Sequence, residues 1–185
     1  MAHNCSVIPE HVHAGIQEAG WSGIVLPETK ISDYVVYPVI NVDPAVWADR
    51  VTEHQGPELD RSTLALWEAW TADLGEQPPR PALSIVGFIS TANRPAAALH
   101  ALDSLAGYGA GLWITSGSHG PTRWALAEFD VADMWVAHTR NAQTTVLVQG
   151  RHGPISTARR MTSTRHKEEL LFQHALVNGS NRAAA

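Results

Sequence analysis

Residues 111–150 read GLWITSGSHG PTRWALAEFD VADMWVAHTR NAQTTVLVQG, and the way they divide decides the fold. Segments 111–116, 123–129, 134–138 and 144–149 are apolar or alternate apolar with polar, and carry the β-branched and aromatic residues of strands. The connections at 117–121, 130–133 and 140–143 are short and polar. Connections this short join antiparallel neighbours, so the stretch predicts a meander.

Upstream, 82–90 is a short apolar run that reads as a buried strand. It is followed by a helix over 94–106, capped by Asn93, with Leu99, Leu102 and Leu105 inward and Gly107 at its end. Downstream, 150–162 reads as a loop and 164–177 as a helix stopped by Asn178-Gly179, with a frayed tail over 180–185. The segment 75–81 holds three prolines and reads as a linker.

Ahead of the linker the texture is helical. A helix is expected over 9–19, then strands over 23–26 and 33–42. Asp43-Pro44 opens a helix with Asp as N-cap and Pro at the first helical position. Leu59, Thr63, Leu66, Trp67, Trp70 and Leu74 recur at three- and four-residue steps, which predicts a helix over 57–74. Strands and helices are grouped, so the expectation is one α+β domain spanning 1–185. A mainly antiparallel sheet of four or five strands, residues 82–149, would carry helices on one face. Its core would include Trp47, Leu66, Trp67, Trp70, Ile85, Val86, Leu99, Leu102, Trp113, Leu126, Trp135, Val146, Val148 and Leu170.

Composition narrows the function. With 44% hydrophobic residues the chain can build a full core, and 17% charged residues is low enough to leave surface for a partner or a second subunit. Cys5 is the only cysteine, which rules out an intramolecular disulfide and fits a reducing, cytoplasmic setting. No stretch reaches the ~20 apolar residues that span a bilayer, and no basic segment followed by an apolar run opens the sequence. The arginine bias over lysine, with abundant Ala and Gly, is that of a GC-rich coding sequence.

The net charge of −5 is unevenly spread. Residues 1–76 hold twelve acids against Lys30, Arg50 and Arg61, whereas 77–185 hold six acids against ten bases. Five of those bases, Arg151, Arg159, Arg160, Arg165 and Lys167, lie in 151–167, where no acid interrupts them. Flexible backbone, arginine forks, hydroxyls and a coming helix start are the ingredients of an anion site. Arg151, His152, Arg159, Arg160 and Arg165 are therefore the candidate anion-binding residues. The segment lacks the spacing of a phosphate loop, and the acidic first 76 residues offer it a counter-surface on this chain or a neighbouring copy.

No catalytic constellation stands out. Ten histidines are many, yet none falls in an H-E-x-x-H or similar spacing, so neither a metal nor a cofactor is expected. Ser118 and His119 are adjacent and read as part of a hairpin loop. Glu128, placed on an apolar strand face, and His138 are the candidate acid–base groups. Seven tryptophans exceed what a core of this size needs, which favours interface anchors.

The leading functional expectation is a non-catalytic binding or assembly protein that acts through a protein partner or self-association. The alternative is a small enzyme or ligand-binding domain that takes an anionic small molecule at the 150–167 loop. The negative overall charge and the lack of aromatics among the basic residues make nucleic acid an unfavoured partner.

Overall fold

The computed structural model describes residues 8–183, with side chains to Asn178, so Cys5 lies outside the described residues. Its elements are α1 (Glu10–Glu18), β1 (Ile24–Val25), β2 (Thr29–Ile31), β3 (Tyr34–Val42), α2 (Pro44–Thr52), α3 (Arg61–Glu68), a 3-10 turn (Ala72–Leu74), β4 (Leu83–Ser90), α4 (Pro95–Leu105), β5 (Ala110–Ser116), α5 (Arg123–Val131), β6 (Trp135–Arg140), β7 (Gln143–Val148) and α6 (Thr162–Ala183). The seven strands form one mixed sheet in the order β1-β3-β4-β5-β6-β7, with β2 also paired to β3.

The class is α+β, but the antiparallel four- to five-stranded sheet with helices on one face is overturned. β4, β5 and β6 run parallel, and only β7 returns antiparallel within 82–149. The cause is the segment 123–131, which is a helix and not a strand. Thr122 caps it, accepting from the backbone N–H of Ala125 at 3.2 Å. Ala125 and Phe129, four apart, turn inward, while Trp124 and Val131 are 76% and 88% exposed. In nine residues of mixed polarity, a period of two and a period of 3.6 fit almost equally well. Val131 separates them: a period of two would put it on the face of Ala125 and Phe129, yet it is 88% exposed, while Phe129 is fully buried and stacks on Trp113 with centroids 4.8 Å apart.

The described residues divide into two compact units, 8–40 with 85–158, and 41–84 with 159–183. In the first unit successive residues of β5 and β6 alternate between the two faces of the sheet. Ala110, Leu112 and Ile114 of β5, with Trp135 and Ala137 of β6, face α1 and pack on Val12 and Ile16. Gly111 and Trp113 face the opposite way, toward Leu102 of α4 and Phe129 of α5. Helices therefore cover both faces. The indole of Trp21 lies so close over β4 that a β-carbon on Gly87 would meet it at 2.6 Å, and would meet the Ala110 carbonyl at the same distance.

In the second unit the helix expected over 57–74 is cut to Arg61–Glu68, because Asp60 caps it at Thr63 and only Leu64 is buried. Leu66, at 54% exposed, is the one exposed residue of the fourteen expected in or beside the core. The closing helix does not stop at Asn178-Gly179 but runs on to Ala183. Its Glu169, 1% exposed, accepts from both terminal nitrogens of Arg50 at 2.7 and 2.8 Å, from Arg165 Nε at 2.9 Å and from the Glu58 backbone N–H at 3.1 Å. Arg50 spends its remaining donors on the carbonyls of Gln55, Gly56 and Arg80, and lies 4.5 Å from the Phe172 ring centroid.

Two stability measurements check these assignments. Phe129→Ala should cost about 3–5 kcal/mol in urea unfolding, whereas Trp124→Ala should change stability by less than about 0.5 kcal/mol; equal costs would contradict a helix at this position. Glu169→Gln should destabilise by about 3–5 kcal/mol, since it strands two buried guanidinium groups without their charge partner.

Candidate functional site at the C-terminal strand edge

Parallel pairing brings the C-terminal ends of β4, β5 and β6 to one edge of the first unit. Adjacent strands are about 4.8 Å apart, so the loops leaving them emerge side by side. In open sheets with crossover helices this is where ligands bind. The three loops are Thr91-Ala-Asn-Arg94, Gly117-Ser-His-Gly-Pro-Thr122, and the hairpin around Asn141-Ala142.

The loops are held by the sheet below them. Trp113 Nε1 donates to the Ala92 carbonyl at 2.9 Å, and Ser90 Oγ accepts from the Ala92 N–H at 3.3 Å. Gly117, at φ +140°, donates its N–H to the Thr139 carbonyl at 3.2 Å. Thr139 and Thr144 share a hydroxyl hydrogen bond of 2.8 Å across the hairpin. Asn141 and Ala142 both take positive φ, 51° and 63°, which is the turn that suits the twist of two strands joined by two residues.

The edge is basic and carries no carboxylate in any of its loops. Arg94 precedes α4, Arg123 opens α5 and Arg140 ends β6; all three are exposed, and among the described residues none has an ion-pair partner within 4.0 Å. His119 stands in the middle loop, its Nδ1 2.9 Å from Ser118 Oγ. These two neighbours in sequence do meet, which the reading as a plain hairpin loop did not anticipate.

His138 lies beneath that loop. It pairs in register with Thr115 of β5 and Thr145 of β7, so the three side chains form a row across the sheet on the face that carries α5. A β-carbon at Gly120 would lie 3.9 Å from its Nε2. Both ring nitrogens are buried, and among the described residues neither has a hydrogen-bond partner. A buried polar atom left unpaired costs stability, so such an atom calls for another explanation.

The other residues expected from sequence are dispersed. Glu128 is exposed on the outer side of α5, away from His138, since α5 turns Ala125 and Phe129 toward the sheet. The 151–167 segment divides between the units. Arg151 and His152 belong to the first, where Arg151 donates to the Ala132 and Asp133 carbonyls and His152 packs edge-on against Trp135 at 5.1 Å. Arg159, Arg160 and Arg165 belong to the second. Arg159 is exposed; Arg160 pairs with Glu68 and Glu168 at 3.1 and 2.7 Å. Arg165 pairs with Glu169, donates to the Pro79 carbonyl and lies over Trp67.

The environments of these two arginines differ. Hydrogen bonding to Glu168 pushes the Arg160 guanidinium above its usual value, whereas burial holds that of Arg165 below it against the pull of Glu169. Glu68, from the acidic first 76 residues, is thus one counter-charge for Arg160, and Glu168 and Glu169 of α6 are the others that Arg160 and Arg165 meet.

Arg94, Arg123 and Arg140 escaped the sequence reading because they are scattered over 47 positions. The available signal was that each follows an apolar run, by four, seven and two residues respectively. Among the described residues no group of three or more His, Cys, Asp or Glu side chains is placed to hold a metal, and no helix is long and apolar enough to cross a membrane. No protein-family model, curated protein or solved structure matches the chain.

The orphaned ring has a measurable consequence. His138→Leu should leave stability unchanged or raise it, by up to about 1–2 kcal/mol in urea unfolding, because it removes two unpaired buried nitrogens. A clear loss of stability would show that the imidazole is satisfied in the folded protein and is there for structure.

Proposed function

We propose that this chain is a ligand-binding domain that takes a small oxyanion of the phosphate type at the C-terminal edge of β4, β5 and β6. The observation that carries the reading is the position of Arg94, Arg123 and Arg140, which have no carboxylate partner among the described residues, at one sheet edge whose loops contain no acid. A tetrahedral oxyanion offers several acceptors, which suits guanidinium forks, the surrounding hydroxyls and the backbone N–H groups that open α4 and α5. His138 supplies a further nitrogen below the loop once that loop admits a ligand. This keeps the anion-binding alternative drawn from sequence and moves it from the 150–167 segment, where Arg160 and Arg165 already have carboxylates. A single cysteine accords with a cytoplasmic setting for such a domain.

Assembly through a protein partner is the second reading. It is favoured by Trp124 and Val131, seven positions apart on the outer side of α5, which are 76% and 88% exposed. Light scattering over a concentration series addresses its simplest form: growth in size that Trp124→Ser abolishes would support self-association.

For the anion reading, melting temperature is compared in phosphate, sulfate and chloride at matched ionic strength. Phosphate or sulfate should stabilise beyond chloride, since a ligand that binds only the folded state raises stability with its concentration. Arg94→Gln, Arg123→Gln and Arg140→Gln should each weaken the apparent affinity by about tenfold or more. Arg159→Gln should have no effect. Equal melting in all three salts would remove the proposal.

A further inference from the structure

We infer that the anion held at this edge is the phosphate of a nucleotide, free or within a single strand, and that its base stacks on Trp124. The inference rests on the anion reading above and goes further by naming the ligand. Trp124 directly follows Arg123 in the first turn of α5, so it stands at the same edge as the unpaired arginines. Because α5 buries Ala125 and Phe129, the indole is turned away from the sheet and is 76% exposed.

The other tryptophans of this unit show what the fold does with an indole it needs for packing. Trp21, Trp113 and Trp135 are 6%, 2% and 6% exposed, and the last two donate their N–H groups to the carbonyls of Ala92 and Arg151. Trp124 takes part in neither kind of contact among the described residues. A large flat π face left in water at the sheet edge that also carries unpaired guanidinium groups has the two components that recognise a nucleotide, stacking for the base and forks for the phosphate. A bare oxyanion would use only the second.

The overall charge of −5 works against long polyanions, but the phosphate of one nucleotide meets the local field of the edge. This departs from the sequence-based expectation that disfavoured nucleic acid for want of aromatics among the basic residues. The aromatic in question is next to Arg123, outside the 151–167 segment on which that expectation rested.

Calorimetric titration of the intact chain with phosphate, ribose 5-phosphate, AMP and UMP at fixed low ionic strength tests the inference. An oligothymidylate of about eight residues, within the usual site size of single-strand binders, completes the series. AMP should bind about 5- to 150-fold tighter than ribose 5-phosphate, the range expected for one stacked base. Trp124→Ala should erase that margin, leave phosphate binding in place and leave the melting temperature unchanged. An oligothymidylate that binds tighter than UMP assigns the nucleotide to a strand; one that does not assigns it to the free pool.

If phosphate binds but AMP is no tighter than ribose 5-phosphate, the nucleotide inference fails and the anion reading stands. If nothing in the series binds, both fail. A margin that survives Trp124→Ala would overturn the stacking role.

Discussion

Parallel strands cannot be joined by a tight turn, and that constraint organises the first unit. Each step from β4 to β5 to β6 needs a crossover, and α4 and α5 provide the two. Because both crossovers begin at the same end of the sheet, the three chain segments that leave it are forced to one edge. Everything proposed for function follows from that collection of loops. In the meander expected from sequence, Arg123 and Arg140 would have been placed by hairpin turns, and no crossover would have gathered three strand exits together.

The sheet also explains how the edge is kept in place. Trp113 is buried between Phe129 and the strand, and its one polar atom reaches the Ala92 carbonyl, so the packing residue that seats α5 also ties down the loop after β4. The same face carries His138 two positions from Val136, where the apolar core gives way to Thr115 and Thr145. Loss of apolar cover and loss of hydrogen-bond partners coincide there. A side chain in that position contributes little to stability, which is the usual condition of groups retained for binding.

The second unit is organised by charge. Arg50, Arg160 and Arg165 are matched by Glu68, Glu168 and Glu169, with Arg50, Arg165 and Glu169 nearly inaccessible to water. A buried pair contributes little net stability relative to an apolar core, but once present it cannot lose a member cheaply. It also specifies arrangement. Glu169 can accept from Arg50, Arg165 and the Glu58 N–H together only if α2, the 55–58 turn and α6 hold one relative placement. Two of the five bases in the run at 151–167, Arg160 and Arg165, are thus taken up by this internal matching.

The sequence by itself determined what depends on neighbours a few residues apart: the Asp43-Pro44 helix start, the apolar strands β4 and β5, the helix α4 and, within the buried core, Leu102, Trp113, Trp135 and Val148. Such signals are local because capping, φ restriction and side-chain periodicity act within one or two turns. His138 was also legible as a candidate, although its unpaired nitrogens were not. Only the tertiary structure decided whether 123–131 was a strand or a helix, since both periods fit until Phe129 finds Trp113. It alone brought Arg94, Arg123 and Arg140 to one edge and gave Arg160 and Arg165 their carboxylates. Those outcomes depend on which distant segments meet, and a residue's charge or polarity carries no record of its partner.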